Sequence, residues 1–343
     1  MRTNKKIAIV ILNWNGEAWM AKFLPSVLKY SSSEIAEVVV ADNGSTDNSL
    51  PMLAQKFPTV KIIQLDKNYG FAEGYNKAIK QLDNPYCVLL NSDVEVTEGW
   101  LDAPLALLEK EESVAAVQPK ILSERNRQLF EYAGACGGFM DKYGYPFCRG
   151  RIFQDIETDN GQYDSPIDIL WATGACLFIK THIYINEGGL DSGFFAHQEE
   201  IDMCWRLRCR GYRIVCTPQS KVYHVGGGTL NSESPRKTFL NFRNNLLMLY
   251  KNLPNGYLEP VLRLRTVLDY VAAFKFLLEG NWQNAKAVYL ARKEFHLLIP
   301  EYKAKREENQ RATTLKEIPE LKSYSLLWQY YFRGKKHYNE LPQ

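Results

Sequence analysis

The sequence predicts an α/β fold, a parallel sheet with helices on both faces. Three observations predict it. Short continuous apolar runs, at residues 6–12, 37–41 and 86–91, have the composition of strands buried on both sides. Segments with three- and four-residue apolar spacing separate them, so strands alternate with helices. Three of the first four strands run into polar turns bearing Gly or Asn, and such turns share one edge of the sheet, where ligands bind.

In order, the first run ends in Asn13-Trp14-Asn15-Gly16, and residues 17–30 follow as a helix with Phe23, Leu24, Val27 and Leu28 on its apolar side. The second strand leads into Asp42-Asn43-Gly44-Ser45-Thr46-Asp47. A helix from about residue 49 to 57 and a strand over 60–65 come next. Asn68-Tyr69-Gly70-Phe71-Ala72-Glu73-Gly74-Tyr75-Asn76 reads as a loop entering a helix near 77–82. The central strand, 86–91, opens into Asn91-Ser92-Asp93 and Glu95. Residues 114–119 look like another strand, and 132–166 like an irregular insertion or short edge strands, a place for acceptor contacts. Strand character returns within 167–180, where Gly174 marks a bulge or a backbone–ligand contact. Phe194-Phe195 delivers a helix headed by Glu199, Glu200 and Asp202. A strand at 212–217 precedes His224, which stands before Gly226-Gly227-Gly228. From Pro235 the pattern is helical, through 246–250, 261–278 and 282–298, with 303–320 expected to be solvated and partly flexible.

At 343 residues, with 45% apolar and 24% charged, the chain suits one large or two ordinary globular domains. Seven cysteines without a Cys-x-x-Cys pair point to reduced thiols in the cytoplasm. The first residues carry no secretion-signal pattern, and no uncharged run reaches the roughly 18 residues of a membrane span. Residues 233–343 hold 19 Lys and Arg against 11 Asp and Glu, whereas residues 1–232 hold 23 against 28. The basic helices either pack on the acidic front or lay a basic face on an anionic membrane. No nucleic-acid partner is expected.

Asp93 is placed to anchor Mg²⁺ or Mn²⁺ holding a diphosphate, with Asn91 and Glu95 assisting; the same residues also suit a plain strand-to-turn corner. Asp42 suits a base or ribose, or a helix cap. Gly70 and Gly74 allow a phosphate close to backbone and to the free N–H groups of the next helix, or serve turn geometry alone. Trp171 suits stacking on a sugar or burial in the core. The macrodipole explains one or two of the carboxylates at 199–202. A carboxylate fixed at a cleft edge is also what deprotonating a hydroxyl requires. Asp202 and Arg206 are spaced as an i,i+4 pair. His224 is an ordinary hydrogen-bonded residue or a metal ligand.

Together, Val-Ile-Leu-Asn-Trp-Asn-Gly (10–16), Val-Ala-Asp-Asn-Gly-Ser-Thr-Asp (40–47), the 68–76 stretch, Leu-Leu-Asn-Ser-Asp (89–93), Thr-Gly-Ala (173–175), Glu-Glu-Ile-Asp (199–202) and His224 resemble family 2 glycosyltransferases. The resemblance is to the inverting enzymes of GT-A fold, in the bacterial rhamnosyltransferase-like branch, with a weaker echo over 239–251. It implies a Rossmann-like mixed sheet flanked by helices over 1–232, with a nucleotide half to about 95 and an acceptor half after it. A basic helical region would follow over 233–343. It implies donor contacts at Asn13, Asn15, Asp42, Asn68, Gly70, Gly74, Asn76, Asn91, Gly174 and Ala175, and Mg²⁺ or Mn²⁺ on Asp93 and His224. Glu200 would be the base, supported by Glu199 and Asp202, with Trp171 and Arg206 toward the acceptor. Donors of this kind are dTDP-rhamnose or a UDP-hexose, and the acceptor is a glycan or lipid-linked glycan of a surface polysaccharide. Two departures stand out: Asn91 occupies the first position of the D-x-D-like motif, and Glu stands where many relatives carry Asp as base. A nucleotidyltransferase would show a Gly-rich basic phosphate loop after strand one, which Asn13-Trp14-Asn15-Gly16 lacks. A catalytically silent sugar-nucleotide-binding protein would have no need of the carboxylates at 199–202.

Overall fold

The computed structural model describes residues 5–226, 234–315 and 317–342. The front of the chain alternates as its apolar runs dictate: β1 (Ile7–Asn13), α1 (Glu17–Tyr30), β2 (Ala36–Asn43), α2 (Ser49–Lys56), β3 (Lys61–Leu65), α3 (Gly70–Ile79) and β4 (Tyr86–Asn91). Then come β5 (Val94–Val96), α4 (Asp102–Lys110) and β6 (Val114–Ser123). The 132–166 stretch forms short strands, β7 (Gly138–Asp141), β8 (Pro146–Cys148), β9 (Arg151–Ile152) and β10 (Asp155–Ile156). β11 (Ile167–Asp168), β12 (Cys176–Lys180), α5 (Thr181–Asn186), α6 (Glu199–Cys209) and β13 (Arg213–His224) complete the main sheet and its cover. Three helices follow, α7 (Pro235–Asn252), α8 (Asn255–Leu278) and α9 (Trp282–Ala312), then β14 (Leu321–Lys322).

The main sheet has the order β11-β13-β6-β12-β4-β1-β2-β3, with β5 pairing β13. It is mixed rather than parallel throughout. β3, β2, β1 and β4 run parallel, but β12 lies antiparallel between β4 and β6. Alternation of side chains explains why these strands read as unbroken apolar runs. Ile7, Ile9 and Ile11 pack with Met20, Leu24 and Leu53 on one face, and Ala8 and Val10 with Ala72, Tyr75 and Ile79 on the other. A second, five-stranded sheet, β10-β9-β8-β7-β14, takes its last strand from the C-terminal stretch.

Helices α7 and α9 do not stand apart. Leu246 to Leu249, Phe295 and Tyr302 belong to the same core as Trp205 and Leu207 of α6. Residues 303–312, expected to be loose, continue α9, with Arg306 and Asn309 buried against Tyr250 and Asn252. Every cysteine is buried and unbridged. Among the described residues no helix is long and apolar enough to cross a membrane.

Candidate active site

The first half of the site is built by register. β13 pairs antiparallel with β5 so that His224 lies opposite Val94, one residue past the β4 turn. This brings His224 Nε2 to 3.1 Å from Asp93 Oδ1 and 3.5 Å from Asn91 Nδ2. On its other side His224 Nδ1 lies 3.3 Å from Glu131 Oε1, at ion-pair distance though out of line for a hydrogen bond. Asp93, Glu131 and His224 are all buried. Burial alone would lower the imidazole pKa, but Glu131 and Asp93 flank it and raise it to about 10. Burial would likewise raise Asp93, and the His224 hydrogen bond and charge carry it below the usual carboxylate range. Glu131 is itself aimed by the Ala133 N–H, which donates to Oε2 at 2.6 Å. Sequence reading missed Glu131; its only signal is one carboxylate in a Leu-Phe-Glu-Tyr run that the fold buries. Glu95, expected to assist Asp93, turns instead to Arg127 at 2.6 Å. Of the three glycines after His224, Gly227 and Gly228 lie outside the described residues.

The second half stands on a strained loop. Phe195, His197 and Gln198 have φ of 64°, 71° and 73°, a left-handed region costly for residues with a Cβ. Helix α7 holds them there. Asn244 Nδ2 donates to the carbonyls of Phe194, Ala196 and His197 at 2.9, 2.8 and 2.8 Å, and Arg243 Nη2 to those of Gly193 and Phe194. The loop releases the chain into α6 at Glu199 and Glu200. Each of these carboxylates keeps one oxygen, Oε2, with no hydrogen-bond partner among the described residues. Burial raises the pKa of Glu200, partly countered by backbone N–H groups that include Gly174. Glu199 is only 3% exposed, and burial plus the charge of Glu200 hold its pKa well above the ordinary value. Of the two, Glu200 is the more open to solvent.

The two halves meet at residues 173–175. The Asn91 N–H donates to the Ala175 carbonyl at 3.0 Å, while the Gly174 N–H serves Glu200. Strand pairing of β12 with β4 therefore delivers Glu200 to the edge that carries Asp93.

Several expectations need correction. Asp202 supports no base: it is fully buried and bound by Arg206 (3.0 Å), Lys251 (2.7 Å) and Asn252 (2.8 Å). Arg206 is spent on Asp202 and the carbonyls of Glu187 and Gly189, so it faces no acceptor. Trp171 is a core residue, its Nε1 donating to Phe139 O at 2.9 Å and its ring pressed against Gly138. Glu199 is sealed by packing rather than poised beside a cleft.

On the donor edge, α3 begins at Gly70, seven residues earlier than expected, because Asn68 Oδ1 accepts the Gly70 N–H and Asn43 Oδ1 that of Tyr69. Its leading N–H groups, on Phe71 and Ala72, are taken by the Phe195 carbonyl, so no phosphate is cradled there. Gly70 and Gly74 are small for packing: a Cβ would meet Phe195 at 2.6 Å or Leu12 at 2.9 Å. Asn68 is a cap. Asn76 is a buried staple, bonding Leu190 N and O and the Tyr184 hydroxyl. Ala175 uses both backbone groups internally, on Thr173 and Asn91, and Gly174 lies under Phe71. Asn13 spends its amide on Asp42, Ser45 and Gly16. Asp42 is buried and accepts one bond on each oxygen, from Asn13 and Ser45, which leaves lone pairs free. Asn15 is exposed and knits the Thr46 turn through Oδ1, and Trp14 beside it is 47% exposed.

Residues 8–162 match the sequence profile described as Glycosyl transferase family 2. The chain carries a family 2 glycosyltransferase domain. The glycosyltransferase is 26% identical over 227 residues to O-antigen biosynthesis protein RfbC of Myxococcus xanthus, spanning 65% of this chain but only 18% of that one. It is 24% identical over 234 residues to N-acetylglucosaminyl-diphospho-decaprenol L-rhamnosyltransferase of Mycobacterium tuberculosis, covering 64% of this chain and 75% of that enzyme. In fold it resembles GalNAc-T7, solved with UDP, GalNAc and Mn²⁺, with a TM-score of 0.61 at 15% identity over 96% of this chain and 57% of that one. The sheet and helices of the glycosyltransferase are those of the GT-A fold.

Proposed function

We propose that the glycosyltransferase is inverting and metal-dependent. In this reading it moves a hexose or rhamnose from a nucleoside diphosphate, dTDP-rhamnose or a UDP-hexose, to a hydroxyl of a glycan or lipid-linked glycan. Its setting would be surface-polysaccharide synthesis, in the cytoplasm at an anionic membrane face. The mycobacterial relative, a rhamnosyltransferase whose name specifies a lipid diphosphate, supports that acceptor class. One observation carries the mechanism: the 173–175 turn joins the Asn91–Asp93–His224 corner to Glu200, whose Oε2 has no hydrogen-bond partner among the described residues.

Glu200 is the base of this reading. Its carboxylate takes the proton from the acceptor hydroxyl as that oxygen attacks the anomeric carbon, and the bond from that carbon to the diphosphate breaks on the opposite side. One displacement inverts the configuration. Asp93 and His224 Nε2 are a carboxylate–imidazole pair suited to Mn²⁺ or Mg²⁺, with Asn91 alongside and Glu131 on the far ring nitrogen, as metal-binding imidazoles ordinarily require. Among the described residues no third His, Cys, Asp or Glu joins them as a cage. When bound, the ion offsets charge on the leaving diphosphate. Trp14, Asn15 and Asp42 form the nucleoside end of the same edge.

The test is a titration with a panel of nucleotide sugars, followed by transfer assays with and without EDTA. A donor that binds and is transferred only without chelator is the expected result. No binding by any nucleotide sugar, or undiminished transfer in excess EDTA, overturns the respective part of the reading.

A further inference from the structure

Helix α8 carries an apolar stripe on its outward side. Its inner residues Val261, Arg265, Asp269 and Ala273 are buried. Yet Val267, Val271, Phe274 and Leu278, recurring at four, three and four residues, project from the opposite side at 60%, 60%, 60% and 73% exposure. A soluble helix of this length normally has a polar outer face. Residues 279–281 turn the chain into α9, whose Ala285 and Val288 pack on Ala273, so the outer faces of the two helices adjoin. On α9 that face carries Trp282 and Leu297, also exposed, with Lys286 and Lys293 between them.

We propose that the outer face of the α8–α9 hairpin seats the protein on an anionic lipid bilayer. The proposal rests on the lipid-linked acceptor of the preceding section and names the surface that meets the membrane. Charge decides the occupant. Glu259 is tied to Arg263 and Glu279 to Lys275, which leaves Lys286 and Lys293 as cations of this face with no ion pair among the described residues. A second copy placed on the face by a two-fold axis would press like charges together and bury them without partners. A bilayer accepts the apolar side chains in its upper acyl region and meets the lysines with lipid phosphates. Trp282 and Tyr289 are amphipathic rings of the kind that settle at that depth.

The experiment is flotation of the full chain with phosphatidylcholine vesicles, with and without phosphatidylglycerol, at low and high salt, beside light scattering of the free protein. Wild type is expected to be monomeric and to float with the anionic vesicles at low salt. Phe274→Glu with Leu278→Glu, both on exposed positions, is expected to lower the bound-to-free ratio about tenfold or more. Lys286→Gln with Lys293→Gln removes no apolar surface and is expected to lose only the part of binding that phosphatidylglycerol adds. Wild type left unbound by both vesicles overturns the proposal. So does flotation of the Phe274/Leu278 variant at the wild-type level, or a dimer that this variant dissolves. Because flotation needs no turnover, an inactive protein that floats faults the transferase reading alone, and an active one that does not float faults this surface alone.

Discussion

Asn244→Ala should separate catalysis from folding. Arg243 Nε donates to Asn244 Oδ1 at 2.9 Å, which fixes the amide with its nitrogen toward the 194–197 carbonyls. Two N–H groups serve three acceptors there, so truncation removes about 1–3 kcal/mol of hydrogen bonding. Against that loss, relaxation of one of the left-handed residues Phe195, His197 and Gln198 returns about 1–2 kcal/mol. The two effects nearly cancel in stability, and Tm should move by only a few degrees. They add in geometry, because both allow the residues just before Glu199 and Glu200 to swing away. A displacement of about 1 Å at a reacting group costs about a hundredfold in rate. Initial rates at saturating donor, donor Kd by calorimetry and Tm by scanning fluorimetry should therefore show kcat down about a hundredfold with Kd nearly unchanged. Asn244→Asp, with no N–H to donate, should do no better. A kcat within about twofold of wild type would refute the positioning role, and collapse of Tm would show that the amide serves the fold alone.

Glu200→Gln keeps the shape of the proposed base but cannot take a proton, so kcat should fall by about 10²–10⁴ with donor affinity intact. In the wild type, rate should fall as pH drops through the raised pKa of Glu200, and an acidic limb at or below the ordinary 4.5 would exclude this residue as the base. For Glu199, whose folded pKa is raised, the stability it contributes is complete below 4.5 and lost as pH rises through the folded value. Glu199→Gln should therefore gain Tm over wild type as pH increases, and a difference independent of pH would contradict the buried, protonated state. Glu131→Gln should weaken Mn²⁺ binding in the presence of UDP about 10–100-fold, read by calorimetry without turnover; an unchanged Kd would leave Glu131 a mere neighbour of His224.

Where the sheet lies was legible because both of its faces are buried, so β1, β2 and β4 wrote themselves as unbroken apolar runs. Legibility failed where a distant partner decides. Asn-Tyr-Gly at 68–70 has the composition of a loop, and it opens a helix because Asn43 and Phe195 supply the acceptors its N–H groups need. Trp171 was open to two readings until Gly138 and the Phe139 carbonyl claimed it for the core. The three carboxylates at 199–202 look equivalent in sequence. Lys251 and Asn252 of α7 withdraw Asp202, packing withdraws Glu199, and Glu200 alone is left partly exposed with an unpartnered oxygen.

That sorting bears on how far family membership can be extended along the chain. The matched stretch, 8–162, contains Asp93 and Glu131 but neither Glu200, His224 nor any residue of α7. The second half of the site is held by interactions outside that stretch. Lys251 lies between Asp191 and Asp202, at 2.6 and 2.7 Å, and so ties α7 to the segments on both sides of the strained loop. Removing one member of such a buried set leaves an uncompensated charge, which costs more than the intact set contributes. Helix α7 is thus part of the half that carries Glu200 rather than an appendage. A chain cut after Gly226 would keep the Asp93 corner yet lose Asn244 and Lys251 together, and with them the forces that hold Glu200 in place.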